Sequence, residues 1–84
     1  MNERYAYLVC QMQNSRIMFV NGAWQGTIPL ANTNEAMDSC PMVWDYLRGA
    51  GDDGWELVGT VPLTTTATEN FTHVTSNLFL RKSL

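Results

Sequence analysis

The 84-residue, 9.5 kDa chain is 45% hydrophobic and 15% charged, a globular balance rather than a disordered one. Surface scaling buries about 63% of the unfolded surface, enough for one domain over residues 1–84 and too little for a separate catalytic domain. A net charge of −3 with only five Lys and Arg excludes the basic surface that grips the phosphate backbone of DNA or RNA.

The polar opening Met1–Arg4 leads into no signal-peptide core. No apolar run approaches the ~20 residues that span a bilayer, so a cytoplasmic protein without a membrane partner is expected. Cys10 and Cys40 are the only cysteines. They are too few for a disulfide framework or, with one histidine, for a zinc site, and both read as buried small hydrophobes.

Arg4 to Gln13 reads as a strand with Tyr5, Tyr7 and Val9 on one face and Ala6, Leu8, Cys10 and Met12 on the other. Asn14-Ser15 is a turn candidate, and Arg16–Val20 a second strand, apolar on both faces. Asn21-Gly22 is the strongest turn signal, because both residues tolerate positive φ. A short strand over Ala23–Ile28 returns from it. Pro29–Asp38 has no clean period and reads as a loop.

A helix is predicted over about residues 40–50, with Asp38 or Ser39 as cap, Pro41 in the first turn, and Val43, Tyr46, Leu47 and Ala50 as its apolar stripe. Gly51 reads as its left-handed stop. Trp55–Pro62 and Phe71–Lys82 are the last strands, with polar Thr64–Asn70 between them. The fold class is α+β: a four- to five-stranded antiparallel sheet with one helix packed on one face. Trp55, Leu57, Val43 and Leu47 are its expected core, and the first and last strands are placed side by side so that each protects the other.

The segment Gly51-Asp52-Asp53-Gly54-Trp55-Glu56-Leu57-Val58, preceded by Tyr46-Leu47, resembles the LxxLGxxGWELV signature of a small bacterial and phage domain family of unknown function. Tyr5-Ala6-Tyr7-Leu8-Val9 and Leu78-Phe79-Leu80-Arg81-Lys82 stand where that family carries its first and last strands. The resemblance implies a fold and no catalytic residue. This chain departs from the family pattern at Arg48, usually Asn, at Ala50, usually Leu, and at Ala6 and Leu8, usually charged. The Ala6–Leu8 face is therefore expected to meet another subunit, and Leu8 to sit in the interface.

The chemistry-bearing residues assemble into no catalytic pattern. His73 has neither a nucleophile nor an orienting partner at a known spacing, and Cys40 has no convincing base. Asp52-Asp53 offers too few oxygens for a calcium loop, and neither a GxxxxGK[ST] loop nor a GxGxxG fingerprint is present. Glu56 can pair with Arg81 or Lys82 across the sheet.

What remains is Arg16, Trp24, Trp44 and Arg48, with the Thr64–Thr68 run: forked donors for phosphate and rings for a stacked base. The expected function is non-enzymatic, a homo-oligomer that captures a small anionic, nucleotide-derived ligand without cofactor or metal. In size, acidity and tendency to assemble, the chain resembles unrelated small phage proteins that sequester nucleotide signals of bacterial immunity. The alternatives are a protein–protein module docking through an apolar sheet face and, last, a small hydrolase using Cys40 or His73.

Overall fold

A computed structural model describes residues 4–30, 34–67 and 72–84, with the side chains of 64–67 and 72–74 left aside. The elements in chain order are β1 (Tyr5–Gln13), β2 (Arg16–Val20), β3 (Ala23–Trp24), α1 (Asn34–Asp38), α2 (Val43–Asp52), β4 (Glu56–Ala67) and β5 (Thr72–Ser83). The strands form one antiparallel sheet in the order β3-β2-β1-β5-β4. The fold is α+β, with α2 as its one long helix.

Local chemistry closes the first two hairpins. Asn14 and Ser15 have φ of 51° and 64°, and Asn21 and Gly22 have φ of 49° and 84°. Two positive-φ residues in each loop match the twist of the flanking strands. The terminal strands do pair, from Tyr5 opposite Ser83 to Gln13 opposite Thr75. The Leu84 amide donates to the Arg4 carbonyl just beyond that ladder.

Residues 41–43 dock on the start of β2, where the Ile17 amide donates to the Pro41 carbonyl and the Val43 amide to the Ser15 carbonyl, each at 2.8 Å. This sends α2 across one face of the sheet. Its Val43, Tyr46, Leu47 and Ala50, with Trp55, pack on a core of Cys10, Ile17, Leu78 and Leu80. Each such aliphatic side chain contributes about 1.5–3 kcal/mol when fully buried.

The corner after α2 is a Schellman motif. The Trp55 amide donates to the Ala50 carbonyl at 2.9 Å, and the Gly54 amide to the Gly51 carbonyl at 3.0 Å. Gly54, at φ 92°, is the left-handed residue; Gly51, expected there, lies within the helix. The helix also begins later than expected. Met42 occupies the cap position in extended conformation without a side-chain cap bond. Ser39 is used elsewhere: its hydroxyl donates to the Ala36 carbonyl and accepts from the Ile28 amide. The presumed loop contains the short helix α1, whose Ala36 is fully buried.

Two placements need correction. Leu57 is 45% exposed, because its position opposite Leu80 lies on the edge strand β4. Leu8, expected at a subunit interface, packs on the core from the α2 side. Among the described residues, no helix is long and apolar enough to cross a membrane.

Candidate functional site: the open sheet face

Residues directly opposite each other in an antiparallel pair share a face. Leu8 opposite Leu80 and Cys10 opposite Leu78 define the side beneath α2. Tyr7 opposite Arg81, Val9 opposite Phe79 and Gln11 opposite Phe19 define the other side. The open side continues outward through Phe79 opposite Gly59 and Asn77 opposite Val61, and through Phe19 opposite Trp24.

Five aromatic residues thus share the open face: Tyr5, Tyr7, Phe19, Trp24 and Phe79. Phe19 and Trp24 meet edge to face at 5.4 Å, and Tyr5 and Tyr7 lie 6.4 Å apart. Tyr7 is 60% exposed, and Val9 and Val61 stand open to solvent beside it. At one end Glu56 accepts a hydrogen bond from Arg81, as the cross-strand spacing suggested, and the Arg81 guanidinium stacks on Tyr5 at 4.7 Å. The Glu56 hydrogen bond holds the Arg81 pKa above its ordinary value. The result is an apolar face with a charge pair already neutralised at its edge.

The four expected ligand residues have separate surroundings. Arg16 is a strap: one guanidinium nitrogen donates to the Asp38 and Cys40 carbonyls, both at 2.8 Å, and the group lies 3.7 Å from the Asp38 carboxylate. Arg16 does line a cavity of about 240 Å³ with Met18, Met37 and Asp38, but its donors serve the α1–α2 connection. Trp24 is tied to Phe19, and its indole N–H donates to the Ile28 carbonyl. Trp44 and Arg48 sit one turn apart on α2, both exposed. That spacing also puts Asp45 and Asp52 beside Arg48.

The thiols are buried and poorly ionised. Burial pushes Cys10 up despite a hydrogen bond with Tyr46, and burial pushes Cys40 up despite the positive charge of Arg16. Both effects oppose a nucleophilic thiolate. The His73 side chain and the side chains of the Thr64–Thr68 run lie outside the described residues. Tyr7, Val9, Phe79 and Val61 are the residues that sequence reasoning missed as a site. The alternation of β1 groups Tyr5, Tyr7 and Val9, while the interface expected from the family departures lies on the opposite set, Ala6 and Leu8. No family model matches the chain, and no match is found among curated proteins or among solved structures.

Proposed function

We propose that this chain is a non-enzymatic assembly module whose open sheet face packs against the same face of a second copy. The observation that carries this reading is the exposed apolar surface formed by Tyr7, Val9 and Val61 around Phe79. A sheet whose one long helix lies on one side must leave the rest of its other face polar or cover it.

Face-to-face packing is favoured over edge-to-edge addition along β4. That strand carries Pro62 and register shifts at Leu57/Gly59 and Pro62/Thr64, the devices that blunt a free edge. The open face carries no such guard. Less supports capture of a small anionic ligand, since Arg16 is spent on carbonyls and Arg48 has two acidic neighbours.

Light scattering at micromolar concentration tests the reading. The wild type is expected as a dimer, and Val9→Glu as a folded monomer, because the new carboxylate would be desolvated between the faces. A monomeric wild type overturns the proposal. A wild-type dimer that Val9→Glu leaves intact moves the interface to the β4 edge.

A further inference from the structure

The opposite side of the molecule, beneath α2, holds a feature independent of that interface. A cavity of about 360 Å³ opens between α2, Leu8 of β1 and the turn residues Asp53 and Trp55. Two aromatic residues line it, Tyr46 and Trp55, together with the acidic pair Asp45 and Asp53. No lysine or arginine is among its lining residues, and two cations stand at its rim: Lys82 over the Trp55 ring and Arg48 one turn from Asp45.

Three further facts describe this groove. Its α2 wall runs from Asp45 and Tyr46 near the helix start to Gly49 and Ala50, and the last turn of α2 carries no basic residue. Gly49 contributes no side chain, and nothing within 4 Å would meet a Cβ placed there. Its lack of a side chain keeps the groove open without any demand from packing. The Trp55 ring can face a cation, as the Lys82 ammonium 5.8 Å from its centroid shows, and a ligand cation competes with Lys82 for it.

We propose that this groove binds a small organic ammonium ion, its alkyl groups against Tyr46 and Trp55 and its charge facing Asp45 and Asp53. Aromatic faces attract cations through the ring quadrupole, and an alkylated ammonium is weakly hydrated enough to leave water for such walls. A divalent metal fits less well, since it needs several oxygen ligands, and no cluster of three or more metal-ligating side chains occurs among the described residues.

The probe is choline chloride, followed by amide and indole nuclear magnetic resonance shifts at constant ionic strength. Its uncharged isostere 3,3-dimethyl-1-butanol is the control. Choline is expected to give saturable shifts at Gly49, Ala50 and the Trp55 indole, with the isostere about tenfold weaker or worse. The double variant Asp45→Asn, Asp53→Asn, both at exposed positions, is expected to keep its fold and weaken choline binding about tenfold. Equal binding of the isostere, unchanged binding by the double variant, or no saturable shift at these residues would overturn the proposal. The oligomeric state plays no part in any of these readouts.

Discussion

Neighbouring residues on β1 meet opposite surroundings. Leu8 lies beneath α2 and packs on the core, while Val9, one residue on, is 38% exposed on the open face. Cys10 is fully buried, while Tyr7 stands largely in solvent. Both faces of the strand are apolar, so hydrophobicity alone does not say which one the chain's own helix covers. The covering element decides, and its position comes from the docking of residues 41–43 on β2.

The largest effects should come from the covered side. Leu80→Ala, at a residue 1% exposed, is expected to cost about 2–5 kcal/mol. That is a large share of the stability of so small a domain. Leu8→Glu should be comparably damaging, because it places a carboxylate under α2. Urea unfolding followed by circular dichroism measures both. Val9→Glu is the matching change on the open face, and it should lose only what dimerisation contributes, a smaller midpoint shift than that of Leu8→Glu. If Leu8→Glu proved as benign as Val9→Glu, the two faces would have been assigned the wrong way round.

A smaller loss is expected at the corner that sets the covering helix. Gly54→Ala places a Cβ at φ 92° and 3.4 Å from the Lys82 side chain. The left-handed conformation costs a non-glycine residue about 1–2 kcal/mol. Thermal melting should report it, and an unshifted melt would show that the Schellman corner tolerates a side chain.

Alkaline pH probes the covered side without mutation. Burial, with Cys10 adding to it, pushes the Tyr46 phenol up to about 12, and burial also raises Cys10. Both folded pKa values lie above the unfolded ones, so in this range the folded state holds more protons than the unfolded state. Their stabilisation is complete below the unfolded values, 9.0 for the thiol and 10.0 for the phenol. It falls away as pH rises from there toward the folded values. The melting temperature should therefore drop above pH 9–10, and Tyr46→Phe should flatten that drop above about pH 10. A melting temperature unchanged to pH 11 would place Tyr46 outside the packed side.

Much of the fold was legible in the residues themselves. Asn21-Gly22 announces its hairpin by chemistry that few other dipeptides share, and the Gly54-Trp55 corner combines a φ requirement with an apolar closure. The β1–β5 pairing followed from the need to protect terminal strands. The helix start was misread because Ser39 and Pro41 make a good cap on paper. In the structure the Ser39 hydroxyl bonds Ala36 and Ile28, across contacts that no local pattern encodes. Arg16 shows the same limit. Whether an arginine is free depends on which distant carbonyls reach it, and Arg16 finds those of Asp38 and Cys40, more than 20 residues away.

The smallest expected effect is a gain, at the groove under α2. Gly49 sits in the interior of the helix with a helical partner on each side and open space where its Cβ would be. Replacing such a glycine with alanine narrows the unfolded ensemble and stabilises a helix by about 0.5–1 kcal/mol. Gly49→Ala should therefore raise the urea midpoint slightly at an unchanged slope, since the exposed surface hardly changes. Added bulk at that position also narrows the cavity beside Tyr46 and Trp55. The variant should gain stability and lose choline affinity together. Opposite signs at one atom would separate the two roles of α2: covering the core favours alanine, and keeping a site open favours glycine. Stabilisation with choline affinity intact would leave Gly49 without a part in the groove.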